Sequence, residues 1–242
     1  MVKKNKRSFV DCACVIHGDV YDWIYVERLY NMVSRHMNVP VQFHVYTEAD
    51  RVVPDHMTKH VLKDWQISGP KKSWWYKMQL FNPEQFDGDL LYFDLDVIIC
   101  RDISWILDMP TEKFWTIRDF RYLQKETFYD MNSSVMWWNV KNYAWVWDKF
   151  QKEDQMLVFK QYHGDQNYLA AMIKYDNRRY FEDRYFQSYR WQVQDGGIKF
   201  PQRIARQPGA GAVIDGDTSV VVFHGSPKPH EVTDPKIVQL WV

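Results

Sequence analysis

The run Leu90-Leu91-Tyr92-Phe93-Asp94-Leu95-Asp96-Val97-Ile98-Ile99-Cys100 decides how the rest of the chain is read. Its apolar, β-branched and aromatic residues predict a buried strand. Two carboxylates interrupt it. Asp94 and Asp96 are two positions apart, so on a strand they face the same way, with Cα atoms roughly 6.5 Å apart. Like charges side by side in an apolar setting are costly unless a cation shares them. Carboxylate oxygens suit a hard divalent ion such as Mn2+ or Mg2+. The expectation is a strand end that presents a metal ion to a phosphate-bearing substrate. The plainer alternative is a strand that merely ends in two solvated aspartates. The apolar residues on both sides of the pair argue against solvent there.

Upstream of this run the pattern is strand, helix, strand. Ser8 to Ile16 reads as a buried strand that ends in the turn His17-Gly18-Asp19. Val26, Leu29, Tyr30, Val33 and Met37 recur at helical spacing and predict an amphipathic helix over 23–37, closed by Pro40. Val41 to Tyr46 reads as the next strand. Such an opening predicts a parallel α/β sheet, because the crossover helix must cover one face. Ligands of such sheets bind beyond the carboxyl ends of the strands. His17-Gly18 and Asp94-Asp96 both lie at such ends, so one crevice can hold them all. Gly69-Pro70-Lys71-Lys72 is expected to be a loop. The short helix after it, Ser73 to Phe81, carries Lys77 on an otherwise apolar side, either snorkelling to the surface or reaching a phosphate.

Downstream, Phe114 to Ile117 predicts a strand, and Arg118, Arg121 and Lys125 read as a solvated basic face. Asn132-Ser133-Ser134 leads into the apolar strand Val135 to Trp138; its small polar groups suit a turn or a sugar hydroxyl. The segment 143–159 is mostly helical, with Trp147, Phe150 and Met156 as core contacts. Asp165 is placed to cap the helix 168–173. Arg178, Arg179, Arg184 and Arg190 cluster among tyrosines, compatible with acceptor or phosphate contact. Asp195-Gly196-Gly197 and Pro208-Gly209-Ala210-Gly211 are turns. Ser219 to Phe223 is a buried strand ending in His224-Gly225-Ser226-Pro227-Lys228-Pro229.

The totals narrow the function classes. The chain has 242 residues, enough for one full core, with 31 basic and 31 acidic side chains and no net formal charge. That balance argues against a general nucleic-acid or membrane-surface binder. Aromatics are 17% of the chain, with 12 tryptophans, a mild pointer to sugar or base stacking. Cys12, Cys14 and Cys100 lie in apolar strands and read as free thiols, which fits a reducing compartment. No signal peptide or apolar run of membrane-spanning length is read, so a cytoplasmic protein is expected. A single domain over 1–242 is expected, with a disordered tail over 1–7.

Taken together, the motifs resemble the glycogenin-like, retaining glycosyltransferases with the GT-A nucleotide-sugar-binding fold. Asp94-Leu95-Asp96 matches that family's Asp-x-Asp. Asn132-Ser133-Ser134-Val135 resembles its Asn-Ser-Gly-Val segment, with Ser134 in place of glycine. Asp165-Gln166 resembles its Asp-Gln pair. His224 and Gly225 through Pro229 resemble its closing His…Gly-x-x-Lys-Pro motif, with His224 four residues before Lys228 rather than the usual longer spacing. This shorter ending is similar to that of viral and bacterial relatives. The order agrees from Ser8 to His230.

The resemblance implies a mostly parallel Rossmann-like sheet flanked by helices, with a small additional antiparallel element near the Asp-x-Asp. It implies a nucleoside diphosphate sugar donor, expected to be UDP-linked, and Mn2+ or Mg2+ held by Asp94, Asp96 and His224. His17, Gly18 and Tyr21 would meet the base, and Lys77 and Lys228 the phosphates. Asn132, Ser133, Asp165 and Gln166 would hold the sugar, with Asp165 or Gln166 on the reacting face. Gly225 would also belong to the donor site, and Asp94 would bind the metal too or hold the ribose. The acceptor stays open between a glycan, a lipid-linked sugar, a protein side chain and a modified base.

Two other readings compete. Asp94-Leu95-Asp96-Val97 also fits a haloacid-dehalogenase-type phosphatase, with Asp94 as nucleophile and Asp96 as acid/base. That fold places its motif on the first strand, whereas here a strand–helix–strand unit precedes it. A nucleotide-sugar-binding module without catalysis is the non-enzyme reading.

Overall fold

The computed structural model describes residues 7–67, 73–194, 209 and 211–242. The tail up to residue 6, the loop expected at 69–72 and most of the turns expected at 195–197 and 208–211 lie outside the described residues. Arg7, expected in the tail, instead pairs with Asp89 at 2.6 Å and lies over the Trp137 ring.

The opening forms as its pattern predicts. Strand β1 (Val10–Val15) is followed by helix α1 (Ile24–Arg35), β2 (Val41–Thr47) and β3 (Met57–Val61). Then come β4 (Asp89–Phe93), β5 (Val97–Ile99), β6 (Phe114–Arg118) and β7 (Met131–Asn139). Helices α2 (Ala144–Lys152), α3 (Gln155–Gln161) and α4 (Asp165–Met172) lead to β8 (Arg178–Tyr180), β9 (Phe186–Ser188), β10 (Val220–Val222) and α5 (Pro235–Leu240). Seven strands form one sheet in the order β3-β2-β1-β4-β7-β6-β8. Neighbours are parallel except at β7, which runs antiparallel to β4 and β6. A second sheet, β5-β10-β9, sets β5 antiparallel and β9 parallel to β10.

Strand alternation sorts the core into two layers. Cys12, Cys14, Leu91, Phe93 and Trp137 face Val26, Leu29 and Val33 of α1. Ala13, Leu90, Tyr92 and Trp138 face the other way, toward Trp75, Phe81, Phe150 and Tyr168. Both faces are covered, which is why the strands read as nearly continuous apolar runs. Met156, expected in the core, is 63% exposed on the short helix α3. Among the described residues no helix is long and apolar enough to cross a membrane.

The deciding run is not one strand. It is β4, a turn over Asp94-Leu95-Asp96, and β5. The Asp94 N–H still bonds the Ser134 carbonyl of β7 at 2.8 Å, while the Asp96 carbonyl accepts the Phe223 N–H after β10 at 3.0 Å. The chain thus leaves one sheet and enters the other across the two aspartates. Val97, Ile98 and Ile99 are fully buried in the second sheet, so the apolar run continues in sequence although the strand does not.

A polar chain crosses the sheet away from this bend. Asp11 Oδ1 meets His44 Nε2 at 2.9 Å, and His44 Nδ1 meets His60 Nε2 at 2.9 Å. Burial, with the neighbouring His44, pushes the His60 imidazole down to about 4. Its neutral form is the native one, so for this group stability is complete above the ordinary histidine range and is lost as pH falls toward 4. The expected NMR result is a His60 ring that keeps its neutral shifts to about pH 4; titration near 6.5 would show the ring to be solvated.

Candidate functional site

The carboxyl ends of β1, β2, β4 and β6, the start of β7 and the first turn of α4 meet at one edge of the large sheet. Lys77 lies there, in the 3-10 helix Ser73–Phe81, and is only 6% exposed. Its ammonium neither snorkels nor meets solvent. It donates to Asp94 Oδ1 at 3.0 Å and Ser133 Oγ at 3.0 Å, and lies 3.2 Å from Asp165 Oδ2. Ser133 Oγ in turn donates to Asp165 Oδ2 at 2.8 Å. Asp165 is 3% exposed and stands in the first turn of α4 rather than capping it; Gly164 holds the cap position. A buried lysine needs such partners, since desolvation would otherwise drive off its proton. Burial acts that way here, but Asp165 and Asp94 overcome it and hold the ammonium above its ordinary range.

The carboxylates divide their roles. Burial works against the charge of Asp94, but Lys77 and hydrogen bonds from Tyr92 and Ser134 hold its carboxyl below the ordinary range. Burial, with the charge of Asp94, pushes Asp165 up despite Lys77. Burial likewise raises Asp96, again aided by Asp94 and opposed by Lys228. Asp96 is 8% exposed and has its own partners: the Lys228 ammonium bonds Oδ2, and the Tyr21 hydroxyl donates to the same oxygen at 2.9 Å. The two aspartates are therefore not a bare pair. Each has been given a lysine, and the bend between the sheets is what sends them to different ones.

The other expected residues fall around this centre. The His17 ring stacks on Tyr76, next to Lys77, at 3.8 Å between centroids. Gly18 has φ +68°, and its N–H donates to Glu48 Oε1 at 2.5 Å. Among the described residues no hydrogen bond joins His17 or Gly18 to Asp94 or Asp96, and Arg51 bonds both the Gly18 carbonyl and Glu48. Asn132 and Ser133 do not form a turn; they lie inside β7, and Asn132 Oδ1 accepts the Ser134 N–H at 2.9 Å. Gln166 Oε1 accepts the Ser133 N–H at 3.3 Å, and its amide donates to Asp119 Oδ2 at 3.1 Å.

His224 is beside Asp96 in the backbone ladder through Phe223. Its imidazole, however, stacks on Phe120 at 5.4 Å, meets Trp191 edge-on at 4.6 Å, and shares a 2.6 Å hydrogen bond with Ser188 Oγ. Burial pushes it down to about 4, so the ring is neutral. Gly225 follows with φ +79°, a conformation costly for any side chain, and a Cβ there would stand 3.5 Å from Arg190.

Asp119, Ser188 and Tyr92 were not singled out by sequence reasoning. Asp119 could have been, since it follows β6 at the same sheet edge as Asp94. Nothing local marks Ser188 or Tyr92.

A divalent ion is the test of the donor set. Two hard carboxylates and one neutral imidazole are ordinary Mn2+ ligands, and a cation already stands on Asp96 in the form of Lys228. The donor types fit. Among the described residues, however, no three His, Cys, Asp or Glu side chains converge as a ready metal set.

This sheet order, with the small second sheet at its carboxyl edge, is the GT-A fold of nucleotide-sugar glycosyltransferases. The galactosyltransferase LgtC, solved with donor and acceptor sugar analogues, superposes with a TM-score of 0.64 at 15% identity, over 96% of this chain and 94% of that one. The glycosyltransferase GlyE of Streptococcus pneumoniae TIGR4 gives 0.63 at 14% identity, over 96% of this chain and 60% of GlyE. The bifunctional glycosyltransferase WbbM gives 0.61 at 13% identity, over 97% of this chain and 51% of WbbM. No family model matches the sequence, and no curated protein matches it.

Proposed function

We propose that this chain is a metal-dependent, retaining glycosyltransferase of the glycogenin-like, viral and bacterial type, with a UDP-sugar as donor. The observation that carries the reading is the buried Lys77 ammonium shared by Asp94, Asp165 and Ser133 beside the Asp96–Lys228 pair. A network of fixed charges at a strand-end crevice suits a diphosphate and the sugar it leaves.

In the reaction the bond between the anomeric carbon and the β-phosphate oxygen breaks, and its electron pair stays with the diphosphate. An acceptor hydroxyl oxygen forms the new bond to that carbon, and its proton leaves with the diphosphate. Lys228 turns from Asp96 to the phosphates, where an ammonium adds charge-assisted hydrogen bonds. Asp94, Asp96 and His224 would hold Mn2+, which when bound neutralises charge on the departing diphosphate. Ser133 and Asn132 hold the sugar, and Asp165 and Gln166 line its reacting face. His17 and Tyr21 flank the nucleoside.

The phosphatase alternative places its Asp-x-Asp after the first strand, whereas here the pair follows β4. The test is a panel of UDP- and GDP-sugars, incubated with Mn2+ or with a chelator. Release of UDP that needs Mn2+ is the expected result. Phosphate released from a phosphomonoester, with every nucleotide sugar left intact, would replace the proposal with the phosphatase reading.

A further inference from the structure

A cavity of about 520 Å³ opens beside α4, within the size range of small-ligand sites. It begins at Asn167, next to Gln166, and continues past Ala170 and Ala171 to Lys174. Asn167 and Ala171 lie about 6 Å apart along α4, and Lys174 follows the end of that helix. Phe128, Tyr129 and Asp130, from the segment before β7, line it as well.

Arg178 lines the far part of this cavity and is 5% exposed. Its Nη1 donates to the Ala170 carbonyl at 3.3 Å, and its guanidinium lies over the rings of Tyr175 at 4.8 Å and Tyr180 at 5.5 Å. Its Nε has no partner. Among the described residues the guanidinium meets no carboxylate. A buried charge without a counter-charge is costly, and a guanidinium packed against aromatic rings can still take an oxyanion at its fork. Lys174, exposed, adds a second positive charge on the same wall, and Asp130 removes one. The balance favours one anionic group.

The remaining wall suits a sugar. Tyr129 is 53% exposed, with Arg118 lying 4.7 Å from the centre of its ring. With Arg118 over one face, the exposed remainder of the ring is a stacking surface for a pyranose.

Resting on the transferase reading, we infer that this cavity is the acceptor subsite and that the acceptor is a saccharide bearing an oxyanion, carboxylate or phosphate. The oxyanion sits on Arg178 and Lys174, and the sugar to be extended lies toward Gln166.

Calorimetric titration of the full chain, with UDP and Mn2+ present, tests this with four probes: glucuronate, glucose 6-phosphate, glucose and inorganic phosphate. The expected result is at least about tenfold tighter binding of one or both anionic sugars than of glucose and of phosphate, as a hydrogen bond to a charged group predicts. Binding by glucuronate identifies a carboxylate acceptor, and binding by glucose 6-phosphate alone identifies a phosphorylated one. Arg178→Met should lose that preference. Lys174→Glu, on the exposed wall, should weaken the anionic sugars several-fold, and it keeps the test open should Arg178→Met not fold. Glucose binding as tightly as both anionic sugars overturns the inference, as does unchanged binding in Lys174→Glu and in a folded Arg178→Met. Inorganic phosphate as tight as the sugars overturns its saccharide half. UDP binding, read in the same cell, separates the failures. UDP bound with no anionic sugar preference sinks this inference alone; no UDP binding sinks the transferase reading and the acceptor role with it.

Discussion

Asp96→Asn should weaken Mn2+-dependent UDP binding by about 2–5 kcal/mol, roughly 30-fold to several-thousand-fold, the range for losing one member of a buried charge pair. The fold should survive. Burial already raises the Asp96 carboxyl, aided by Asp94, so its neutral form costs the native state little. The amide can still accept from the Tyr21 hydroxyl, which stands 2.9 Å from Oδ2 in the native protein. The Lys228 side chain, 25% exposed, can turn to water. The pairing to look for is an unchanged thermal midpoint with lost calorimetric binding. A variant that binds UDP as the native chain does would remove Asp96 from the site.

Lys77→Met should have the opposite signature, a large loss of stability. Removing one partner of a buried ion pair costs about 3–5 kcal/mol, because the charge left behind has neither water nor partner. Here two carboxylates are left, Asp94 and Asp165, both previously on the one ammonium. Urea unfolding at neutral pH should show the deficit. It should shrink as pH falls, since protonation of the stranded carboxyls removes the unpaired charge. Adding Asp165→Asn to Lys77→Met should restore part of the loss, because one of the two stranded charges is gone. Native-like stability in Lys77→Met would mean that the lysine is solvated and the network is not formed.

These two residues also show where the sequence was informative. The strand–helix–strand opening was legible because α1 and its neighbours keep clean periods, with Val26, Leu29 and Val33 on one face. Lys77, Asp94, Ser133, Asp165 and Gln166, each named from the sequence, lie in one hydrogen-bonded network. The break between β4 and β5 was not legible. Periodicity reports burial, and Val97 to Ile99 are as buried in the second sheet as they would be in the first. Nor could spacing tell that Lys77 points inward, since one lysine on an apolar face looks the same whether it snorkels or pairs. Asn132-Ser133 looked like turn chemistry because small polar residues seldom sit in a central strand. They do so here because β7 runs past the lysine network at its polar end. The partners of His224 depend on contacts with Phe120, Ser188 and Trp191 that no local pattern encodes.

The most direct measurement is calorimetric titration of the native chain with UDP, once with Mn2+ and once with a chelator. The account predicts saturable binding with Mn2+ that the chelator abolishes or weakens at least about tenfold, as loss of a charge-assisted contact requires. Absence of binding in both arms, or equal binding in both, would contradict it.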